Sequence, residues 1–139
     1  MSIDPTDVPI GEREVRDAAE RPNPWAHVTP VMTSRTLDAR AGCSVFLKCE
    51  NLQRVGAFKF RGAMNALLQL DEKARGKGVV THSSGNHGQA LALAGSLLKA
   101  PVTVVVPNSA PAIKQAAMKG YGATIRLCEP TLAAREAAV

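Results

Sequence analysis

The residues best suited to chemistry form a short polar run at positions 83–88 (SSGNHG), directly after the apolar segment 79–82 and before a long helical pattern. The first amides of a helix have no partner within it and lie at its positive end, so they favour a carboxylate or a phosphate. Gly85 and Gly88 would let the backbone approach such a group closely. A helix cap without a ligand needs only one of these polar residues. The run alone leaves both interpretations open.

A second candidate is a lysine between two aromatic residues, in the segment 56–62 (GAFKFRG). A lysine flanked in this way at a loop-to-helix junction can be partly desolvated, which favours the neutral, nucleophilic amine. The alternative is a surface lysine between two core phenylalanines. Lys48 and Arg61 present the same ambiguity, and the sequence assigns them no role.

Other common kinds of site do not fit these residues. His82 and His87 are five positions apart without a third ligand nearby, and His27 stands alone, so no metal site is predicted. The chain has neither a Walker loop nor the glycine fingerprint of a dinucleotide-binding fold. Three cysteines without a CxxC pair argue against structural zinc and a disulfide framework, and they favour reduced thiols in a cytoplasmic protein.

Charge and hydropathy exclude several further classes. The net charge is +5, but the basic residues are scattered among carboxylates and do not alternate with aromatics, so nucleic-acid binding is not predicted. A mildly basic solvated surface explains this charge, and so would a basic pocket for anionic ligands. No signal peptide and no stretch of about 18 apolar residues is visible, so we expect no membrane association.

The elements that must position these residues form an α/β pattern. Strands are predicted at 43–50, 79–82, 102–106 and 123–127, and helices at 12–20, 33–40, 59–70, 85–99, 111–120 and 132–138. From Gly78 onward, strands and helices alternate with short loops, which predicts parallel neighbouring strands. We therefore expect an α/β fold with an open, twisted, mainly parallel sheet flanked by helices. The polar run then lies at the carboxyl edge of that sheet, where ligands bind.

Together these segments resemble the fold-type II pyridoxal-phosphate enzymes, which have a tryptophan-synthase-β-like fold. The resemblance rests on residues 48–53 (KCENLQ), 56–62, 81–90 (THSSGNHGQA), 105–107 (VVP) and 120–123 (GYGA), and it extends from about Pro30 onward. Within that group the chain is most similar to serine racemase and the related serine/threonine and hydroxyaspartate dehydratases. Ser84 stands where biosynthetic threonine dehydratases usually have alanine, and His87 stands where cysteine synthases have threonine.

The resemblance implies pyridoxal 5′-phosphate as the cofactor and assigns residues to it. Lys59 matches the Schiff-base lysine, which also moves the Cα proton on one face of the substrate. Phe58 matches the aromatic residue that packs on the cofactor ring, and Asn86 matches the asparagine that hydrogen-bonds the ring hydroxyl.

The resemblance also implies how a small amino-acid substrate is bound and converted. Residues of the loop 83–87 (Ser83, Ser84, Gly85, Asn86 and His87) match the loop that holds the substrate carboxylate. Ser84 matches the hydroxyl that can reprotonate Cα on the opposite face. The implied reactions are β-elimination, which releases ammonia and a 2-oxo acid, and/or racemisation of serine, threonine or hydroxyaspartate. Val55 and Ala57 replace the threonine and serine of many relatives, which puts the substrate preference in doubt.

The resemblance further implies features that we do not find in these 139 residues. They are a later glycine-rich loop for the cofactor phosphate, a residue facing the pyridine nitrogen, and the divalent-cation ligands of serine racemase. We therefore expect a truncated fold, in which residues 1–77 belong to the large domain and residues 78–139 form most of the small one. Alone, such a chain would bind the cofactor weakly and turn over little substrate; a full-length form would be a homodimer.

Two alternatives stay open. One is a threonine-preferring dehydratase without racemase activity. The other is a non-catalytic remnant, or a partner of a related full-length subunit.

Overall fold

The computed structural model describes residues 10–22 and 24–139. The helices are α1 (Glu12–Glu20), α2 (Arg35–Ala41), α3 (Lys59–Leu68), α4 (Glu72–Lys77), α5 (Asn86–Leu98), α6 (Ala112–Gly120) and α7 (Leu132–Ala137). The strands are β1 (Val31–Thr33), β2 (Phe46–Lys48), β3 (Val79–His82), β4 (Val102–Pro107) and β5 (Thr124–Cys128). Two short 3-10 turns, Glu50–Leu52 and Arg54–Gly56, connect β2 to α3.

A parallel sheet with the strand order β3-β4-β5 organises the second half of the chain. The central strand β4 is an almost continuous run of valines, of which Val102, Val104, Val105 and Val106 are buried. Such a run is typical of a parallel strand covered on both faces. The predicted α/β fold with a parallel sheet flanked by helices is therefore confirmed.

The core joins the two halves of the chain through α3 and α5. Phe60, Met64 and Leu67 of α3 are fully buried, and Leu68 is half-buried. α3 packs extensively on α5, and α5 in turn packs on β4. The beginnings of α3 and α5, which carry the two candidate segments, are thus positioned by one common core.

The first half of the chain departs from the prediction in its strands. Only Phe46–Lys48 of the predicted strand 43–50 is a strand, and it pairs antiparallel with the unpredicted β1, with Met32 opposite Leu47. Both strands are exposed along their length, so neither contributes a buried face. A three-residue strand such as β1 has too little sequence to show a period, and it forms because β2 is available to pair with it.

Helix ends show a second difference. Lys119 and Gly120 predict a helix end with glycine as the cap, but Gly120 is the last residue of α6, and Tyr121 follows as the cap. The left-handed residue is Gly122, with φ of +89°. Its N–H donates to the carbonyl oxygen of Lys119 at 2.8 Å, which closes the last turn. Of these two nearby glycines, Gly122 and not Gly120 adopts the left-handed conformation.

The helices and cysteines of the described part of the chain can be compared with the predictions from hydropathy and cysteine spacing. None of its helices is long and apolar enough to cross a lipid bilayer. Cys43 is exposed, Cys49 and Cys128 are half-buried, and all three are free thiols.

Candidate functional site

The polar run begins where β3 ends. The backbone N–H of Ser83 still donates to the carbonyl oxygen of Val105 at 3.0 Å, after which the chain turns into α5. The Ser83 hydroxyl then accepts hydrogen bonds from the N–H groups of Gly85, at 3.2 Å, and Gly88, at 3.0 Å. Within the described residues, the N–H groups of Asn86 and His87 have no such acceptor. Capping therefore involves Ser83, and these two amides are available to an anion.

Gly88 ties this turn to the core. A Cβ atom at Gly88 would lie 3.0 Å from the sulfur of Met118 and 3.1 Å from a methyl group of Val104. These distances are tighter than ordinary van der Waals contacts, so the first turn of α5 rests directly on β4 and α6. The position of the polar run is consequently set by close backbone packing as well as by its own hydrogen bonds.

The candidate lysine follows a strained turn. Val55 and Gly56 both have left-handed backbone conformations, with φ of +57° and +66°. This conformation is uncommon for residues other than glycine, and for a β-branched residue it is an outlier that surrounding contacts must enforce. Val55 packs against the core, and Ala57 beyond the turn is buried. The turn delivers the chain to the surface at Lys59, the first residue of α3.

Of the two interpretations of Lys59, the amine desolvated between two aromatic rings does not fit the structure. Phe60 is fully buried in the core, whereas Phe58 is 59% exposed and Lys59 is exposed. Residues two apart on a helix point about 200° apart, so two flanking rings cannot enclose the residue between them. The Lys59 amine lies 4.9 Å from the centre of the Phe58 ring, and the two form an exposed cation–π pair.

An ion pair that the sequence analysis missed holds the first turn of α3. The guanidinium of Arg61 binds both carboxylate oxygens of Glu50, at 2.8 Å each. The Thr29 hydroxyl donates to the same carboxylate at 2.6 Å. The hydrogen bond from Arg61 is the main reason that the pKa of Glu50 falls to about 2, and burial opposes the change. Since the partners are 11 and 21 positions apart in the chain, no local spacing signals the network.

The same network fixes the segment that precedes β1. Lys48 donates to the carbonyl oxygen of Thr29 at 2.6 Å, and Arg61 donates to that of His27 at 3.1 Å. The buried side chain of Gln53 both donates to and accepts from the backbone of His27, at 2.9 Å each. Lys48 and Arg61, which had no predicted role, therefore anchor the chain around the helix that begins with Lys59.

The charge of Lys59 acts on His87 of the polar run. The pKa of His87 is lowered from its ordinary value, first by burial and then by the positive charges of Lys59 and His82. The ion pairs in the described residues join Arg16 to Glu12 and Arg61 to Glu50, and neither involves these groups. The amine of Lys59 and the polar run, called the polar turn below (residues 83–88), thus share a region of net positive character, which suits an anionic ligand.

Comparison with known proteins identifies the class of protein that has this fold and site. Residues 23–139 match the family model described as pyridoxal-phosphate dependent enzyme. The chain belongs to this family, within fold type II, as its sequence motifs predicted.

Two curated relatives and one solved structure define the similarity more closely. The chain is 60% identical over 112 residues to an L-threo-3-hydroxyaspartate ammonia-lyase from Pseudomonas sp, which covers 81% of this chain and 35% of the relative. It is 50% identical over 124 residues to a serine racemase from Dictyostelium discoideum, which covers 89% of this chain and 38% of the relative. A crystal structure of serine racemase from Dictyostelium discoideum superposes with a TM-score of 0.85 at 49% identity, over 91% of this chain and 41% of that one. The chain therefore spans well under half the length of the proteins it matches.

Proposed function

We propose that this chain supplies the proton-transferring lysine and the carboxylate-binding loop of an enzyme that performs β-elimination and/or racemisation of small hydroxy amino acids. The observation that supports this most is the packing of α3 on α5, because the two candidate segments lie at the beginnings of these helices and one common core positions both. The lowering of the pKa of His87 by the charge of Lys59 agrees with this arrangement. The names of the relatives include an ammonia-lyase and a racemase, so they are consistent with either reaction.

The residues on this side of the site fit the aldehyde side of pyridoxal phosphate. An aldehyde needs an accessible primary amine, and Lys59 is exposed beside the exposed face of the Phe58 ring. Asn86 is exposed at the start of α5, where its amide can donate to a ring hydroxyl. When bound, the cofactor would supply the electron sink that makes the Cα–H bond of an amino acid acidic.

The chain's own residues would then divide the remaining tasks. The N–H groups of Asn86 and His87 bind the substrate carboxylate, and the Lys59 amine removes the Cα proton from one face. Departure of the β-hydroxyl leads to ammonia and a 2-oxo acid. Return of a proton from the exposed Ser84 hydroxyl to the other face leads instead to the opposite enantiomer.

Covalent labelling tests the role of Lys59. The chain is incubated with pyridoxal phosphate, reduced with borohydride and digested, and the modified peptides are identified by mass spectrometry. We expect the adduct on Lys59 at stoichiometries where exposed lysines such as Lys73 remain unmodified. The Lys59→Met variant should lose this adduct, and the matched Lys73→Met variant should keep it. Equal modification of Lys59 and Lys73 would contradict the proposal.

Product analysis separates the two reactions. In a form of the protein that is active, L-serine is followed for both pyruvate and D-serine, and L-threonine and 3-hydroxyaspartate for their 2-oxo acids. We expect Ser84→Ala to lower D-serine formation more than pyruvate formation, because Ser84 acts only in the return of the proton. A wild-type protein that releases 2-oxo acids and forms no D-serine would be a dehydratase alone.

Two further expectations stay proposals. One is the division of the chain at residue 77 between parts of a large and a small domain. The other is a cytoplasmic location, which the free thiols of Cys43, Cys49 and Cys128 favour.

A further inference from the structure

A lysine from a third element lies over the polar turn. A Cβ atom placed on Gly85 would be 3.3 Å from the Nζ of Lys114 and 3.9 Å from its Cδ. The lysine amine therefore sits directly against the backbone of the turn that follows β3. Neither the spacing of residues nor the family resemblance assigned a role to Lys114.

Hydrogen bonds at the start of α6 fix the backbone that carries this side chain. Ala110 is buried in the loop after β4, and its N–H donates to the carbonyl oxygen of Pro107, the last residue of that strand, at 2.9 Å. The Gln115 side chain returns a hydrogen bond to the carbonyl oxygen of Ala110 at 2.9 Å, and Lys114 N–H donates to that of Pro111 at 3.0 Å. Since β3 and β4 are parallel neighbours, these contacts hold Lys114 at the same sheet edge as the polar turn.

The charge of Lys114 has no partner among the described residues. The ion pairs found there involve Glu12 and Glu50, both far from α6 in the chain. Lys114 is also half-buried, so its charge is less screened by solvent and salt than that of an exposed lysine. A half-buried cation held against a glycine backbone without a carboxylate is suited to an anion supplied from outside.

We infer that Lys114 is a further substrate-binding residue, whose amine contacts the carboxylate of the amino acid bound at the turn 83–87. The inference rests on the proposed function, because that function places the substrate carboxylate at this turn. A lysine ammonium is a compact charge with three donors, so it can bind a carboxylate oxygen that the backbone amides leave unpaired. Gly85 fits this arrangement, because any larger residue would press its Cβ against the amine.

Titrations of the 139-residue chain by ¹⁵N NMR test the inference without requiring turnover. The amide signals of Gly85 and Gly88 are followed during addition of L-serine and, separately, of L-serinamide. The amide derivative retains the ammonium group and the hydroxyl but has no carboxylate. We expect L-serine to shift both signals and L-serinamide to leave them nearly unchanged.

Variants of two lysines on α6 then isolate the charge. Lys114→Met should raise the dissociation constant for L-serine about 10-fold, since a hydrogen bond to a charged group is lost. Lys114→Arg should retain most of the affinity. The control is Lys119→Met at the exposed end of the same helix, which should bind as the wild type does. The thermal midpoints of Lys114→Met and Lys119→Met should agree, which separates a binding role from a structural one.

The outcomes are distinct. Unchanged binding of L-serine by Lys114→Met, or no response of the wild-type signals to L-serine, would overturn the inference. So would an equal loss of L-serine binding in Lys119→Met. If borohydride labelling does not select Lys59 while L-serine binding depends on Lys114, the carboxylate site is supported and the pyridoxal-phosphate chemistry is not.

Discussion

Replacing Glu50 by glutamine tests how the chain before β1 is held against the helix that carries Lys59. Association with Arg61 and Thr29 lowers the pKa of Glu50 from 4.5 to about 2. At about 1.4 kcal/mol per pH unit, this lowering corresponds to at most about 3.5 kcal/mol of stability. Because the Arg61 side chain is 38% exposed, solvent screens the pair, and we expect Glu50→Gln to cost about 1–2 kcal/mol near neutral pH.

The pH dependence gives this prediction its direction. A carboxyl group whose pKa is lowered by folding stabilises the protein above its unfolded value of 4.5, and this contribution disappears as the pH falls toward about 2. Urea denaturation followed by far-ultraviolet circular dichroism would compare the wild type with Glu50→Gln at about pH 7 and about pH 3. The difference in free energy of unfolding should be clear at the higher pH and less than half as large at the lower one.

A matched control comes from the other ion pair of the described residues. Glu12 and Arg16 pair within α1, with side chains 77% and 73% exposed. Glu12→Gln should therefore change stability by less than about 0.5 kcal/mol. The reasoning fails if Glu50→Gln costs no more than this control, or if its cost is the same at both pH values.

Three further predictions concern the packing and electrostatics of the site. Gly88→Ala should destabilise the protein by about 1–3 kcal/mol in thermal denaturation, because the added methyl group presses on Met118 and Val104. Gly62→Ala should instead stabilise it by about 0.5–1 kcal/mol, because a methyl group on this exposed residue of α3 meets no atom within 4 Å. Ser83→Ala should cost about 1 kcal/mol and speed amide exchange at Gly85 and Gly88, because both N–H groups lose their acceptor; unchanged exchange would argue against the observed cap. In NMR titrations His87 should show a pKa below 6.5, and Lys59→Met should raise it without restoring 6.5, since burial is the larger cause. An unaffected His87 would place the lysine away from the turn.

The parallel half of the fold could be predicted because its signals are local. The valine run of β4 and the apolar residues of α3 and α5 each lie within a single element. These apolar residues become buried because removing apolar surface from water is favourable. The predicted helix 12–20 and strand 79–82 coincide with the observed bounds because their signals also lie within one element.

The structure differs from the prediction where contacts with residues distant in the chain determine the local conformation. The predicted strand at 43–50 shortened because its pairing depends on β1, which has only three residues. The left-handed conformation of Val55 runs against its own preference and is held by packing on the core. Neither feature has a signal in its neighbouring residues.

For the candidate site, the residue types along the chain determined the family and the two segments that carry chemistry. They did so because a reactive lysine and a polar turn of this kind are each recognisable as a continuous run of residues. Only the tertiary structure decided which side chain caps α5, that Lys59 is exposed, that Arg61 binds Glu50, and that Lys114 lies over Gly85. Each of these depends on which way a side chain points or on contacts between separate segments, and only the folded core brings those segments together.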